Sequence, residues 1–558
     1  MKFKFKNKYL KLRVNNKILL FLVILLAFIL RVYKVNQIPP GLYWDEAAMA
    51  LDAKSISLTG KDHHGNSWWQ PIYPSWGDYK LPGYILMAVP FFKLIKTSPE
   101  IAIRLPSVLA GTLTVLVVYF LTQELFKNKN INKDKIKYSS LNSKYLSLIA
   151  SLLLAISPWH LQFSRAAFEG NLALLFNSLA LLFFLKARNK KGLLGLTAIF
   201  AIFGIYTYYS ARIVLPILLV LTFFVFWKKS FKNIAIFLFI LMVVYLSFLS
   251  LKNTSLAAKA DQFRLSTKNI LSDILLIQYS NRLIQEDGSS FLAKKIHHRF
   301  LYQGKQLGIH FFDHFSGQFL LLSGDSNLRH SSGRVGVLFL IAFLGFIYGE
   351  YYLFLKSKKL FIYLNLALLV SFLPACVPYE IPHALRSLNG VLFINIISGF
   401  GLFQLIKVVK NRKIFLIAGS CLLFFQFFFY LHDYYVHYSS RSFIAWQGGY
   451  REAIDFLNQN YKRAEKVVFT DFYARPYLYY LLYSNYSLEE FQNQRQEILA
   501  NQPLNYSETK EVGKIEFRPI NFEKDKEIEN VLLIGTRKEI YKGSQIKNME
   551  TFVSWKNY

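Results

Sequence analysis

Runs of apolar residues long enough to span a membrane recur along the first four-fifths of the chain, separated by short basic clusters. The first runs from about Ile18 to Val35 and the second from about Ile101 to Phe126. Further runs lie near 144–160, 171–187, 193–209, 212–227, 234–251, 334–355, 360–377, 388–409 and 414–431, which makes about eleven at ~20 residues per spanning helix. Leu81 to Ile95 is also apolar, but it is short, holds Pro82 and Pro90, and carries Lys93. The basic clusters Lys127–Lys137, Lys186–Lys191, Lys228–Lys232, Lys356–Lys359 and Lys407–Lys413 all favour the cytoplasm. They share it only if an odd number of crossings separates Asp45 from Lys127. Leu81–Ile95 is therefore expected along the outer surface as an interfacial helix. The lysine-rich, acid-free stretch Met1–Lys17 is expected inside, and the long segment Lys252–Gly333 outside.

After about His432 the pattern turns polar with mixed charge. Lys466–Asp471 and Val531–Thr536 read as buried strands, Gly449–Asn460 and Arg475–Tyr483 as helices. The expected division is a transmembrane domain over 1–435, with outer loops at 36–100 and 252–333, and a small extracytoplasmic α/β domain over 436–558.

Composition agrees with the membrane reading. Of 558 residues 53% are hydrophobic, and the mean hydropathy is +0.26, outside the range of ordinary soluble chains. A formal charge of +32 would suggest nucleic acid in a soluble protein. Here the basic residues sit between apolar runs, as membrane topology requires, so no nucleic-acid partner is expected. Two cysteines, Cys376 and Cys421, both in apolar segments, exclude a disulfide framework and a thiolate zinc cluster. There is no Gly-x-x-x-x-Gly-Lys-Ser/Thr loop and no His-Glu-x-x-His, so nothing supports an ATP-driven pump or a zinc protease. The first apolar run ends at Arg31 without a small-residue cleavage site and reads as a retained span.

The chain is organised around Pro39-Pro40-Gly41-Leu42-Tyr43-Trp44-Asp45-Glu46. The prolines and glycine stop a helix, the aromatics suit a membrane–water boundary, and two adjacent carboxylates follow. With the topology above, other ionisable groups fall on the same side: Asp78 and Lys80, His160, Arg165 and Glu169, Tyr209 and Arg212, and His383 and Arg386. Charged groups at membrane depth usually line a functional cavity. Carboxylates beside lysine, arginine and histidine suit glycosyl transfer from a lipid phosphate, in which a base takes the acceptor's proton while cations or a metal hold the departing phosphate. An oxocarbenium-like state is stabilised by nearby negative charge, and a sheltering lip such as Leu81–Ile95 would limit hydrolysis. Arg386 and His383 are candidates for phosphate binding, since arginine offers phosphate a bidentate fork.

The segments GLYWDEAA (41–48), GDYKLPGY (77–84), Ile103-Arg104-Leu105-Pro106, SPWHLQFSR (157–165) and PHALRS (382–387) resemble the polytopic, GT-C-type glycosyltransferases that use polyprenyl-phosphate sugars. The protein O-mannosyltransferase and aminoarabinose transferase group is the nearest likeness, over roughly residues 15 to 435. The resemblance implies an all-α polytopic membrane fold. It implies Asp45 as base or acid-site anchor with Glu46 beside it, and Lys80 near the donor phosphate together with Arg165. Asp78 and Glu169 become acidic positions at which a divalent metal is left open, because the chain has a single Glu there and no Asp-x-Asp. Asp325-Ser-Asn-Leu-Arg329-His330 resembles a GDxNxRHS stretch of bacterial relatives. Tyr209, Arg212, Arg329 and His330 are candidates for acceptor or headgroup contact.

The leading expectation is an inverting glycosyltransferase in a prokaryotic plasma membrane, with its N-terminus cytoplasmic, moving a monosaccharide from a polyprenyl phosphate to a protein, lipid or glycan acceptor. The alternatives are a polymerase or ligase of lipid-diphosphate-linked glycans, and a lipid or sugar transporter. A transporter would place charged or broken helices near the bilayer midplane.

Overall fold

The computed structural model describes residues 15–75, 78–95, 98–127, 140–252, 258, 269–502 and 506–540. Most of the N-terminal basic stretch, most of Lys127–Lys137 and the side chain of Asp78 lie outside the described residues.

Helix α1 (Asn16–Val32) starts on Asn15, whose side chain accepts from the Lys17 amide. The chain then turns through Gly41, at φ +74°, where a Cβ would lie 2.7 Å from the Trp446 carbonyl oxygen. Only glycine meets both conditions. Helix α2 (Trp44–Thr59) begins three residues later with Asp45 and Glu46 in its first turn, where acids are favoured, and ends on left-handed Gly60. An antiparallel pair, β1 (Tyr73–Ser75) and β2 (Asp78–Lys80), leads into α3 (Pro82–Leu94).

At 13 residues α3 is about 20 Å long, too short to cross a ~30 Å hydrocarbon core. Tyr84, Ile85, Ala88 and Phe92 are buried while Met87 and Leu94 are exposed, so it lies along the bundle on one face. Helix α4 (Pro99–Phe126), capped by Ser98 with Pro99 in its first turn, is the central pillar. It packs on α1, α5 (Ser140–Ile156) and α7 (Glu169–Ala187).

The sequence reads one span over 144–160. The structure instead bends by 59° between α5 and α6 (Pro158–Ser164). Ser157 restarts the helix by accepting from the His160 amide, and Pro158, which has no N–H to offer, takes the first helical position. The remaining helices are α8 (Leu194–Thr207), α9 (Ala211–Phe226), α10 (Phe231–Lys252), Leu340–Lys356, Lys358–Cys376, Gly390–Val408 and Arg412–His432.

Five described helical runs are long and apolar enough to cross a membrane, a sixth if α5 and α6 count as one. Helices α3, α8 and α9 are shorter apolar segments, as is the Phe231–Ser247 part of α10, and α1 and Leu340–Lys356 have 17 residues each. The chain is thus built as a multi-pass membrane protein, although among the described residues fewer than eleven helices reach spanning length. Arg412–His432 turns Phe424, Phe425, Phe428 and Phe429 outward, an apolar face suited to lipid. Leu340–Lys356 crosses Gly390–Val408 so closely that a Cβ on Gly401 would lie 1.8 Å from the Gly345 carbonyl oxygen.

The segment Lys252–Gly333, read only as a loop, holds helices at Ile274–Glu286 and Arg299–Asp313. Beyond residue 443, β3 (Lys466–Phe469) pairs in parallel with β5 (Ile515–Phe517) and β6 (Val531–Ile534), and β4 (Glu511–Val512) is antiparallel to β5. Helices Tyr450–Asn460, Pro476–Tyr483 and Leu488–Asn501 cover the sheet's connections. This unit packs on α2. Lys54 Nζ donates to the Leu481 and Leu482 carbonyls at 3.0 and 2.8 Å, and Tyr479 Oη to the Leu42 carbonyl at 2.8 Å. Glu100 receives Tyr483 Oη at 2.8 Å and pairs with Arg451 at 3.1 Å.

Candidate active site

The site is set on a platform made by Glu46 and Arg104. Neither side chain is exposed. Glu46 accepts from Arg104 Nε and Nη2, both at 3.1 Å, and from the Ala167 amide at 2.6 Å. Arg104 spends its other N–H groups on the carbonyls of Val35 at 2.8 Å, Pro39 at 2.9 Å and Gly41. The turn carrying Asp45 is therefore held from α4 by backbone carbonyls and one carboxylate. Sequence reading paired Glu46 with Asp45 as catalytic, but both Glu46 oxygens are committed within the protein, which makes it a positioning residue.

Arg165 is corrected in the same way. It was expected on the donor phosphate, yet it is 1% exposed and its guanidinium is fully used. Nη1 donates to the Leu30 and Arg31 carbonyls at 2.6 and 3.2 Å, Nη2 to those of Tyr33 and Ile38 at 2.8 and 3.0 Å, and Nε to Tyr434 Oη at 3.3 Å. It ties the end of α1 to α6 and offers nothing to a ligand.

Asp45 faces the other way. Its Oδ1 lies 2.7 Å from Lys80 Nζ, with side-chain exposures of 25% and 8%. Lys80 ends β2, and Tyr209 Oη fixes that strand by donating to the Tyr79 carbonyl at 3.2 Å. Arg212 stacks on Tyr209 at 4.4 Å and donates from Nε to the Ile205 carbonyl at 3.2 Å, so both brace the hairpin from the α8–α9 turn.

Trp44, beside Asp45, is approached by two guanidiniums, Arg329 at 4.8 Å and Arg475 at 5.4 Å from its ring. Tyr43 stacks on Phe168 at 5.3 Å, immediately before Glu169 at the start of α7. Burial raises the Tyr43 hydroxyl well above the usual tyrosine value. Asp45, Glu169 and Glu46 add to the rise and Arg329 opposes it, so these four groups share one electrostatic neighbourhood.

The ring of His330 continues this wall, 6.1 Å from Phe168 and 4.8 Å from His383. His330 Nδ1 lies 2.9 Å from Asp325 Oδ2, which also accepts the Ala384 amide at 2.8 Å. His314 Nε2 accepts the His383 amide at 3.0 Å, and the Arg386 amide reaches His383 Nδ1 at 3.4 Å. Burial, with the charges of His330, Arg386 and His314, holds His383 well below the usual histidine range. Asp325, His330 and His383 are all buried, and one ligand atom from each lies within 4.8 Å of the others. Gly170 touches this region too: a Cβ there would meet Leu385 Cδ1 at 2.9 Å, which brings the start of α7 against the segment holding Arg386.

Sequence reading missed Arg475. Ala474 and Arg475 are consecutive non-glycine residues at φ +60° and +64°, a costly conformation held by bonds from Tyr450 Oη to the Ala474 carbonyl at 3.1 Å and from Gln447 Nε2 to the Tyr473 carbonyl at 2.7 Å. No local pattern marks this loop as reaching Trp44. A buried cluster in the first loop was also missed. Asp52 meets His63 at 2.5 Å, and Asp62 accepts from the His64 and Asn66 amides, Asn66 Nδ2 and Gln70 Nε2 at 2.8–3.0 Å. Asp62 is pushed up to about 6, first by burial and then by Asp52.

No protein-family model and no curated protein matches this chain. Among solved structures, the chain is similar to the Archaeoglobus fulgidus oligosaccharyltransferase in complex with zinc and sulfate, at 14% identity and TM-score 0.48, covering 83% of this chain and 61% of that one. The same archaeal enzyme, AglB, with an inhibitory peptide and a dolichol-phosphate matches over 87% and 68%, also at 14% and 0.48. ArnT from Cupriavidus metallidurans bound to undecaprenyl phosphate matches at 12% identity and TM-score 0.40, over 87% of this chain and 78% of that one. The chain thus spans about three-fifths of the first of these neighbours.

Proposed function

We propose that this protein is an inverting glycosyltransferase that moves a monosaccharide from a polyprenyl phosphate to an acceptor at the outer face of the membrane. The observation that carries the reading is the Asp45–Lys80 pair at 2.7 Å, mostly buried beside a tryptophan whose ring is approached by two arginines. Without substrate the two charges satisfy each other. A donor phosphate competes for Lys80 and frees the Asp45 carboxylate to face the acceptor.

In the proposed step the acceptor's hydroxyl or amide attacks the anomeric carbon, and the bond from that carbon to the phosphate oxygen breaks. The electron pair leaves with the polyprenyl phosphate, and the acceptor's proton passes to Asp45. In this reading Lys80, Arg329 and Arg386 meet the departing phosphate's charge, and Glu169 supplies negative charge toward the oxocarbenium-like centre. Helix α3 and the Ala474–Arg475 loop shelter the site from water. The outer location follows from the basic turns at the opposite ends of the helices. In this reading the unit beyond residue 436 closes the acceptor side. If a divalent metal is bound, it supplies Lewis-acid stabilisation of the leaving phosphate.

The test is purified protein assayed against a panel of polyprenyl-phosphate sugars with product analysis. Asp45→Asn is expected to insert and purify normally and to lose transfer by about 1000-fold or more. Near-normal transfer by that variant removes Asp45 from the mechanism.

A further inference from the structure

Asp325 and His330 have no part in the reaction as written above, yet they meet His383 from a segment more than fifty residues away. We infer that Asp325, His330 and His383 form a binding site for one divalent first-row transition metal, of the zinc or manganese class.

Three side chains of metal-ligand type are buried together, with one ligand atom from each within 4.8 Å of the others. Asp325 Oδ2 and His330 Nδ1 are 2.9 Å apart, a hydrogen-bond distance that needs to open by only about 0.5 Å to reach the spacing of two donors around a tetrahedral ion at ~2.1 Å. A ring nitrogen of His383 lies within 4.8 Å of the donors of both. The carboxylate is placed independently of any ion: Oδ1 accepts the Asn327 amide at 2.9 Å and Oδ2 the Ala384 amide at 2.8 Å. The His383 backbone is likewise fixed by His314, whose own Nδ1 donates to the His310 carbonyl at 2.8 Å.

Two imidazoles and one carboxylate favour zinc, which takes nitrogen and oxygen donors alike, over calcium or magnesium, which prefer all-oxygen sites; manganese, which lies between them, is the second choice. Three protein ligands leave open positions. Arg329 adjoins His330 in sequence and Arg386 follows His383 by three residues, so the second half of the inference is that an anionic phosphate oxygen completes the sphere. That half rests on the proposed glycosyl transfer; the metal site does not. It also differs from the site expected from the sequence, which placed a metal at Asp78 and Glu169.

The experiment reads metal without any sugar donor. Detergent-purified protein is stripped with chelator, reloaded separately with zinc, manganese, calcium or magnesium, desalted, and its metal content measured. About one equivalent of zinc or manganese is expected, and much less calcium or magnesium. His330→Ala, His383→Ala and Asp325→Asn should each lose most of it, while Glu169→Gln keeps it. Copper-loaded wild-type protein, which needs no variant to fold, should show nitrogen hyperfine coupling from the two imidazoles in its electron paramagnetic resonance spectrum. Wild-type protein that holds no stoichiometric zinc or manganese overturns the inference. So does copper coupling without nitrogen, or metal lost from Glu169→Gln but kept by a well-folded His383→Ala. Because no transfer is measured, failure here leaves the glycosyltransferase reading intact, and an inactive enzyme that binds metal leaves the site intact.

Discussion

Glu46 and Arg104 meet in a two-pronged ion pair, both contacts 3.1 Å, with no solvent on either side chain. Asp45, one residue earlier, has a quarter of its side chain exposed and a different partner. On a helix, consecutive residues point about 100° apart, so Glu46 faces the scaffold while Asp45 faces Lys80. Removing one member of a buried pair costs about 3–5 kcal/mol, because the other is left charged and unpaired. Arg104→Ala should therefore lower the thermal unfolding midpoint in detergent more than Asp45→Asn does. Glu46→Gln, which keeps the shape, should fall between them. Unfolding curves of the three variants check this ordering.

Lys80 is predicted to act through the donor. Lys80→Ala should reduce kcat/KM for a polyprenyl-phosphate sugar by about 100-fold, the usual size for losing one charged contact to a leaving oxyanion. Lys80→Arg should recover part of it by keeping the charge. Combined with Asp45→Asn, the loss should be less than the product of the single losses, since the residues act as a pair. Full additivity in kinetic assays would separate the two roles.

The buried Asp62 predicts a pH effect on stability. Burial and Asp52 raise its folded-state value to about 6, above that of an aspartate in the unfolded chain. The folded protein therefore binds the proton more tightly, and the cost of burying the charge is fully present above pH 6 and relieved as pH falls toward 4. The shift corresponds to about 3 kcal/mol. On acidification from pH 7 to pH 5 the wild type should gain stability relative to Asp62→Asn, as read from unfolding midpoints of both proteins at the two pH values.

The stacked Trp44 carries a prediction about the C-terminal unit. Each cation–π contact is worth about 0.5–2 kcal/mol. Arg475→Ala should weaken donor or acceptor binding by about 3- to 30-fold while leaving insertion into the membrane unchanged. Measured KM values for both substrates, with membrane fractionation of the variant, test it.

Much of the helical layout is legible in the sequence because long apolar runs have few other fates. The first run, read as 18–35, is a helix over Asn16–Val32, and 101–126 is Pro99–Phe126. The bend at Ser157 is less visible, since Pro158 fits equally well at the start of a new helix or near the end of an old one. The strand and helix segments after residue 443 fall near their expected positions because β-branched runs and amphipathic spacing are local signals. Roles of individual charges are not local. Arg165 and Arg386 look alike beside apolar runs, but Arg165 is consumed by carbonyls from the end of α1 and the turn after it. Those partners come from more than a hundred residues away, and no spacing rule reaches that far. Arg475 is hidden for the same reason, since its approach to Trp44 depends on two left-handed residues with no glycine to announce them.

The ties from Tyr479, Tyr483 and Lys54 across to Leu42, Glu100 and the Leu481–Leu482 carbonyls have a consequence for biogenesis. Early-inserted segments leave hydrogen-bonding groups waiting for partners that the ribosome delivers only after some four hundred further residues. A nascent chain halted before Pro476 would thus carry an unfinished vestibule, open to surveillance proteases, however well its bundle had already settled in the bilayer.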